Sequence, residues 1–360
     1  MNDMPFVTVI LPIRNESGFI ARSLGAVLAQ DYPRGRMEVV VADGMSTDDT
    51  RAIVRQCADA APGINVTIVD NPEGIVPTGM NAALKAARGE VVVRVDGHTI
   101  VEPDYVRECA AALARSGAEN VGGRMSAVGR GNFARAVAAA TSSRFGVGGA
   151  RFHYSDQEEL VDTVYMGAWP KAVLDGLGGF DPEMVRDQDD ELNYRLRERG
   201  GRILLSPRIR SRYYNRSSLR SLARQYFQYG YWKVRVLQKH PKQMSARQFV
   251  PPAFAAAVVG GAVLSPWSRG VRRLWSATLA AYGLAAVTAS VAVARRAGWR
   301  HLPVLPAAFA AMHLGYGGGF LAGLVRFAHR WGDRGAPSRP RLRSVGASAE
   351  RSPLARREAG

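Results

Sequence analysis

The sequence predicts an α/β fold followed by a hydrophobic C-terminal region, and three observations support this fold class. Short apolar runs alternate with amphipathic helical patterns over the first hundred residues. Four acidic residues occur within positions 187–192, immediately before another helical pattern. From residue 249 onward, long uncharged stretches replace the mixed composition of the preceding chain. Because strands and helices alternate, we expect a largely parallel sheet.

The alternation begins near the N-terminus. An apolar strand is predicted at 6–12, where a proline ends it, and capping residues then open a helix that reaches about Gln30. Further strands are predicted at 37–43, 66–69 and 91–96, and a helical pattern separates each strand from the next. Ligands of such sheets bind at the carboxyl ends of the strands, so a site is expected at that edge.

Acidic side chains stand at these strand ends. Glu16 follows the first strand, Asp43 ends the second and Asp96 ends the fourth. Asp43 can accept a hydrogen bond from a nucleobase N–H, and Glu16 can accept from ribose hydroxyls, which predicts a nucleotide site. Each also has a simpler explanation, because Glu16 suits the positive end of a helix dipole and Asp43 precedes a turn. The glycine patterns of dinucleotide-binding folds and P-loop NTPases are missing, which disfavours both classes.

The tripeptide Asp96-Gly97-His98 combines a carboxylate and an imidazole directly after a strand. A divalent cation held by one or two such side chains keeps water and phosphate oxygens as its other ligands and neutralises a diphosphate leaving group. We therefore predict a metal site at Asp96 and His98, with Mn²⁺ at least as suitable as Mg²⁺ because imidazole favours transition metals. The alternative for His98 is a turn residue.

Asp189, in the acidic cluster, is the candidate general base. Neighbouring carboxylates raise one another's pKa, which suits a group that must accept a proton from an acceptor hydroxyl. The alternative is a solvated acidic helix start, which fits Asp187 and Glu191 equally well. With the metal site, the cluster predicts a metal-assisted transfer enzyme.

Composition divides the chain into three parts, with a soluble domain at 1–240, a membrane region at 241–328 and a disordered basic tail at 329–360. The membrane region holds two or three transmembrane or interfacial helices, because its uncharged stretches are near the ~20 residues that a bilayer needs. Buried helices of a soluble fold are the alternative. Three crossings would leave the arginine-rich tail outside, against the positive-inside tendency.

The formal net charge of +17 permits nucleic acid, anionic lipid or a phosphorylated small molecule as partner. No zinc-ligand spacing, RNA-binding signature or recognition-helix pattern accompanies that charge, so we expect no nucleic-acid partner. The N-terminus carries no secretory signal, which predicts that the first domain stays in the cytosol.

The order of motifs resembles the inverting glycosyltransferases of family 2, which have a GT-A fold, over residues 5 to about 240. The stretches that carry the resemblance lie at 9–16, 41–48, 81–89, 95–98, 178–181 and 188–192. The Asp-Gly-His form and the hydrophobic C-terminus look most like succinoglycan-type glucosyltransferases. The Gln-x-x-Arg-Trp motif of processive synthases is missing, which favours the addition of one sugar per encounter.

The resemblance implies a role for each matching residue. Asp189 would be the base, and Asp96 with His98 would hold Mn²⁺ or Mg²⁺. The predicted donor-binding residues, which include the uracil contact Asp43 and the ribose contact Glu16, are Pro12, Arg14, Glu16, Asp43, Asp96 and Lys233. The sequence departs from the family where His98 replaces a second aspartate and where Gln188 replaces a glutamate.

The sequence thus predicts a membrane-anchored, inverting hexosyltransferase at the cytosolic face of a bacterial inner membrane. It would transfer glucose from UDP-glucose to a lipid-linked oligosaccharide in exopolysaccharide or cell-envelope glycan synthesis. Two alternatives remain open, a polyprenyl-phosphate sugar synthase of the same fold and a non-catalytic nucleotide-sugar-binding subunit of a polysaccharide assembly complex.

Overall fold

A nine-stranded mixed sheet forms the centre of the molecule in this computed structural model, which describes residues 4–215 and 218–333. The strands are β1 (Val7–Ile13), β2 (Met37–Asp43), β3 (Asn65–Asp70), β4 (Val91–Arg94), β5 (Thr99–Val101), β6 (Asn120–Val128), β7 (Glu159–Leu160), β8 (Tyr165–Pro170) and β9 (Ile203–Tyr214). Their order is β3-β2-β1-β4-β8-β6-β9-β5, and β7 pairs with β9. Strands β3, β2, β1 and β4 are parallel, whereas β8 runs antiparallel to both β4 and β6.

Twelve α-helices accompany the sheet within the described residues. They are α1 (Ile20–Leu28), α2 (Thr50–Asp59), α3 (Val76–Ala86), α4 (Tyr105–Ser116), α5 (Gly131–Thr141), α6 (Arg144–Val147), α7 (Lys171–Leu177), α8 (Gln188–Glu198), α9 (Leu219–Lys239), α10 (Val250–Leu264), α11 (Arg269–Ala297) and α12 (Leu305–Arg326). Short 3₁₀ turns lie at Arg34–Arg36, Arg151–His153, Pro241–Gln243, Ala246–Phe249, Trp299–His301 and Ala328–Arg330.

The predicted fold class is confirmed. Every residue of β1 and β2 is buried, because helices cover both faces of the sheet and form one apolar core on each side. That burial on both faces explains why the strands read as continuous apolar runs instead of alternating ones. The fourth strand stops at Arg94, two residues earlier than predicted, so Asp96 lies in the connection to β5. The carboxyl ends of β1, β2 and β4 meet at one edge, as expected for parallel strands.

Helices α10, α11 and α12 are long and apolar enough to cross a membrane by length and composition. They also pack on the rest of the chain. One apolar cluster joins Val137 of α5 and Leu222 of α9 to Ala294, Phe309 and Met312 of the C-terminal helices. The predicted boundary at residue 240 therefore follows a change in composition, whereas packing continues across it.

Helices α9 and α12 approach each other through their backbones. Glycines 315, 319 and 323 of α12 form a stripe at four-residue spacing that faces α9. A methyl group added at Gly319 would lie 2.0 Å from the carbonyl oxygen of Phe227, and one added at Gly230 would lie 1.9 Å from that of Tyr316. Side chains larger than hydrogen are therefore excluded from the contact.

The glycine contact gives a matched pair of variants. We expect Gly319→Ala to lower the melting temperature, because a methyl group there overlaps backbone of α9 and overpacking costs about 1–3 kcal/mol. Gly318→Ala, one residue away, meets nothing within 4 Å and should be neutral or slightly stabilising, since alanine is the better helix former. Thermal unfolding of both variants in detergent checks this. Equal melting temperatures would show that the two helices are free to separate.

Candidate active site

The loop after β1 is tied to the loop after β2 by side chains at the shared edge. Asn15 has a positive φ of 52°, a conformation that asparagine tolerates better than most residues, and its side-chain oxygen accepts a 2.9 Å bond from the backbone of Thr47. The backbone N–H of Glu16 donates to the hydroxyl of Thr50 at 2.8 Å. These bonds place the side chains of Pro12, Arg14 and Glu16 along one large cavity, where donor-binding residues were expected.

Asp43, the predicted nucleobase contact, is held inside its own turn. Its carboxylate accepts from the hydroxyl of Ser46 at 2.5 Å and from the backbone of Ser46 at 3.1 Å, and Arg51 lies at 3.4 Å. The side chain is fully buried and is not among the described residues that line the cavity. Asp43 thus shapes the end of β2, and its contact with a base remains a prediction.

The predicted metal residues lie together between β4 and β5 and line the cavity. Asp96 accepts hydrogen bonds from Arg94 Nε at 2.8 Å and from the Tyr165 hydroxyl at 3.3 Å. Burial raises the pKa of Asp96, but the charges of Arg94 and His98 and these two bonds outweigh it, so its pKa falls below the usual value. The carboxylate is therefore ionised, as a cation ligand must be.

His98 faces the same cavity and is oriented by its neighbours. Its Nδ1 lies 3.6 Å from Glu16 Oε1, and its ring packs edge-on against Tyr213. A carboxylate beside a ligating imidazole is the usual way in which a metal-binding histidine is oriented. Glu16, predicted to bind ribose, therefore has a second possible partner in His98.

The donor set fits a partly coordinated Mg²⁺ or Mn²⁺. The described residues contain no group of three His, Cys, Asp or Glu side chains that could enclose a metal ion. Two side chains on one open loop are nevertheless what such cations commonly use when a diphosphate and water supply the other ligands. Asp96 and His98 would hold the ion, while the lone pairs of Asp96 that Arg94 and Tyr165 leave unused remain available.

Sequence reasoning missed Arg94. Its guanidinium is 3% exposed and bridges the two central carboxylates, donating through Nε to Asp96 and through a terminal nitrogen to Asp189. Arg94 lies in β4, Asp96 in the following loop and Asp189 in α8. Arg94 and Asp189 are ninety-five residues apart in the chain. The available signal was an arginine inside an otherwise apolar, buried strand, because a buried charge requires a partner.

Asp189 lies in the first turn of α8, and Asp187 is the residue before that helix, with a positive φ of 58°. Burial is the main reason that the pKa of Asp189 rises to about 7; the charges of Asp96 and Asp190 also raise it, and Arg94 opposes them. Burial likewise raises the pKa of Asp187 to about 7. A carboxylate of this basicity at the cavity wall can accept a proton near neutral pH.

Lys233, predicted to bind donor, is engaged with the acidic cluster. Its ammonium forms an ion pair with Asp190 and lies 3.7 Å from Asp187, and its side chain is 5% exposed. Asp190 also accepts a 2.9 Å bond from Thr163. Lys233 does line the cavity, so its role toward the donor remains a prediction, but in this structure it anchors the start of α8 to α9.

These residues line a single cavity of about 1670 Å³. One end carries Arg14, Glu16, Asp96 and His98, and the other reaches the apolar C-terminal helices. Besides Arg247, which pairs with Asp162, four further arginines line it, all of them exposed and none in an ion pair within the described residues: Arg144, Arg186, Arg220 and Arg224. The cavity thus joins the end that carries the candidate metal and nucleotide residues, an acidic centre, and a group of arginines beside the apolar helices.

Known proteins resemble this chain in sequence. A family model described as glycosyltransferase-like family 2 matches residues 5–231. Succinoglycan biosynthesis protein ExoA of Rhizobium meliloti (strain 1021) is 29% identical over 327 residues, which cover 89% of this chain and 96% of that protein. A dolichyl N-acetyl-alpha-D-glucosaminyl phosphate 3-beta-D-2,3-diacetamido-2,3-dideoxy-beta-D-glucuronosyltransferase of Methanococcus voltae is 27% identical over 242 residues, covering 66% of this chain and 75% of that protein.

Solved structures share the fold. The mannosyltransferase PcManGT from Pyrobaculum calidifontis, in complex with GDP-Man and Mn²⁺, superposes with a TM-score of 0.58 at 22% identity and 88% coverage of both chains. GalNAc-T7 with UDP, GalNAc and Mn²⁺ gives a TM-score of 0.51 at 15% identity, over 66% of this chain and 48% of that one. Similarity at this level shows a common GT-A architecture.

Proposed function

The chain belongs to glycosyltransferase family 2, and on that basis we propose that it is an inverting, metal-dependent hexosyltransferase that adds one glucose from UDP-glucose to a lipid-linked glycan. The observation that carries this proposal is the Arg94 bridge. It brings the candidate base Asp189 next to Asp96, the carboxylate assigned to the cation and the donor diphosphate. The proposed base and the carboxylate proposed to hold the cation are thus adjacent in one cavity.

The chemistry follows from this arrangement. Asp189 accepts the proton of an acceptor hydroxyl while that oxygen forms a bond to the anomeric carbon of the donor. The bond from that carbon to the diphosphate breaks, and UDP leaves with the electron pair. Because attack and departure occur on opposite faces, the configuration inverts. A single base at pKa about 7 is sufficient for this one-step displacement.

Asp96 and His98 would hold the divalent cation, which neutralises the charge that develops on the departing diphosphate. The structures of PcManGT and GalNAc-T7 were each determined with Mn²⁺ and a nucleotide or nucleotide sugar, which supports assigning a cation to the same fold here. Arg14, Glu16 and Pro12 line the adjoining wall and are the proposed donor contacts.

The metal assignment predicts the behaviour of two His98 variants. We expect the native enzyme to prefer Mn²⁺ and His98→Asp to shift that preference toward Mg²⁺, because two carboxylates form a harder ligand set. His98→Ala should weaken metal dependence or abolish transfer. Activity titrated with each metal, together with metal binding measured by calorimetry, checks both outcomes. Full activity and an unchanged metal profile in His98→Ala would reduce His98 to a turn residue.

Two observations support a lipid-linked acceptor. The cavity extends from Asp189 to the apolar helices, and the four exposed arginines named above can bind the phosphates of a lipid diphosphate. ExoA is named for the synthesis of succinoglycan, and the Methanococcus relative is named for transfer to a dolichyl-linked sugar phosphate. We therefore propose a role in exopolysaccharide or envelope glycan synthesis, at the cytosolic face of a bacterial inner membrane.

A UDP-release screen tests the proposed function. The full-length protein is incubated with a series of nucleotide sugars, with and without a lipid extract of bacterial membranes as acceptor source. We expect UDP-glucose to give the fastest release and the extract to accelerate it, whereas Asp189→Asn should show neither effect. Release that the extract does not accelerate, or no release of UDP from any UDP-sugar, would contradict the proposal.

A further inference from the structure

Two of the buried polar atoms in the active-site cavity have no hydrogen bond. Within residues 4–215 and 218–333, neither Asp187 Oδ2 nor the Tyr316 hydroxyl has a partner, although both side chains line the cavity. The side chain of Asp187 is only 9% exposed. An unpaired buried polar group costs free energy, so atoms of this kind need water or a ligand to complete their bonding.

Both groups lie beside Lys233. The Lys233 ammonium is 3.7 Å from Asp187 Oδ2, which is too far for a hydrogen bond, and it forms its close ion pair with Asp190 instead. Burial lowers the pKa of Lys233, but the charges of Asp187 and Asp190 raise it well above its usual value. Tyr316 adds to that rise, so its hydroxyl also lies near the ammonium. Asp187 and Tyr316 therefore belong to one polar group.

The contact between α9 and α12 fixes the position of Tyr316. A methyl group added at Gly230 would lie 1.9 Å from the Tyr316 carbonyl oxygen, so the two backbones touch at this point. Lys233 follows Gly230 by three residues and therefore lies on the same face of α9. The Tyr316 ring also packs against Phe320, with the ring centroids 6.4 Å apart. These contacts hold the phenol at the cavity wall.

Asp187 is placed beside the candidate base. It immediately precedes α8, and its backbone carbonyl accepts a 3.0 Å hydrogen bond from the N–H of Glu191. Burial, and then the charges of Asp190 and Asp189, raise the pKa of Asp187 to about 7, and Lys233 opposes that rise. A ligand whose reacting hydroxyl lies at Asp189 therefore has its neighbouring atoms near Asp187.

We propose that Asp187 and Tyr316 form a subsite for the acceptor sugar, where they bind a second hydroxyl of the sugar whose reacting hydroxyl lies at Asp189. A sugar hydroxyl both donates and accepts, so it can donate to Asp187 and accept from Tyr316. The inference rests on the proposed function, because it requires a hydroxyl acceptor at Asp189.

The position of the pair favours the acceptor over the donor. The candidate metal and nucleotide residues, among them Asp96 and His98, lie at one end of the cavity. Tyr316 belongs to α12, one of the apolar helices that the other end of the cavity reaches. A lipid-linked acceptor enters from that end. Helix α12 thus supplies a substrate contact as well as packing against α9.

Acceptor titration tests the subsite. Tyr316→Phe removes only a hydroxyl, and Asp187→Asn removes only a charge. The full-length protein is incubated with UDP-glucose, Mn²⁺ and increasing amounts of the membrane lipid extract. We expect each variant to need roughly tenfold more extract for half-maximal UDP release, because each loses a hydrogen bond to the acceptor. Calorimetric affinity for UDP should not change, because neither residue lies at the nucleotide end.

Tyr231→Phe is the matched control. Tyr231 lies in the same helix contact, where it faces Gly323, but it is not among the described residues that line the cavity. This variant should respond to the extract as the native protein does. If Tyr316→Phe and Asp187→Asn respond normally too, the subsite does not exist. A rise in their KM for UDP-glucose, with an unchanged response to extract, would assign the two groups to the donor sugar and overturn the inference.

Direct sugar binding separates the subsite from the proposed function. If the native protein does not respond to extract, the proposed acceptor is wrong, but binding of a sugar can still be measured. Saturation-transfer NMR is recorded on protein in lipid nanodiscs with UDP, Mn²⁺ and the methyl glycosides of glucose, galactose and mannose. We expect at least one glycoside to bind the native protein and Tyr231→Phe, and neither Tyr316→Phe nor Asp187→Asn. No binding by the native protein, or equal binding by these two variants, overturns the inference.

Discussion

Replacing Asp189 with asparagine is expected to reduce sugar transfer roughly 10²–10⁴-fold, the range that loss of a general base usually costs. The amide keeps the shape of the side chain and can still accept a hydrogen bond from Arg94, so the cavity should keep its form and UDP binding should survive. Transfer rates together with calorimetric UDP binding check this. Asp175→Asn, at a 51% exposed ion pair with Lys171, is the matched control and should be fully active.

The same residue sets a pH dependence. Because the pKa of Asp189 is raised to about 7, the carboxylate is protonated and unable to act as a base below that value. We expect kcat/KM to rise with pH through about 7 and then to level off. Near-normal turnover in Asp189→Asn would indicate that Asp189 is not the base. Asp190 or Asp187, which lie in the same cluster, would then be the candidates.

Replacing Arg94 with methionine is the second change with a large expected effect. Without the guanidinium between them, Asp96 and Asp189 would be two buried carboxylates close together. Breaking a buried ion pair costs about 3–5 kcal/mol of stability. The change would also remove the hydrogen bond that positions Asp189, the proposed base. A displacement near 1 Å can cost roughly 10²-fold in rate. We expect a lower melting temperature, a kcat reduced about 10²-fold and an acid limb shifted to higher pH, since Arg94 lowers the pKa of Asp189.

Two further variants separate positioning from stability. Arg88→Met removes an arginine from another buried carboxylate, Glu38, which is 2% exposed and lies at the amino end of β2. That variant should lose stability but keep kcat and the pH profile. Arg94→Lys retains the charge but lacks the planar fork that bonds two carboxylates, so it should restore stability better than rate. If Arg88→Met and Arg94→Met lose activity equally, Arg94 has no special role in the site.

Sequence reasoning predicted those candidate site residues whose positions depend on local features of the chain. Asp96 and His98 follow a buried strand, and Asp189 opens a helix, so apolar periodicity located them before any contact was known. Their grouping at one edge follows from the parallel sheet. The side-chain pairings could not be predicted in the same way. Arg94 reaches Asp189 across ninety-five residues, and the partner of a buried charge depends on tertiary packing that no local pattern contains.

The C-terminal region shows the same division. Its composition correctly indicated long apolar helices, because uncharged runs of about twenty residues are typical of helices long enough to cross a membrane. Composition cannot distinguish a helix that lipid surrounds from one that is half covered by protein. That distinction depends on the glycine contacts of α12 with α9 and on the burial of Ala294 against α5.

Product analysis tests the central claim most directly. The full-length protein is incubated with radiolabelled UDP-glucose, Mn²⁺ and a lipid-linked glycan acceptor, with polyprenyl phosphate as a parallel acceptor, and the labelled lipids are separated and their anomeric configuration determined by NMR. The account predicts one added hexose in β linkage on the lipid-linked glycan and none with Asp189→Asn. Label on polyprenyl phosphate alone, an α linkage, or UDP release without labelled lipid would contradict it.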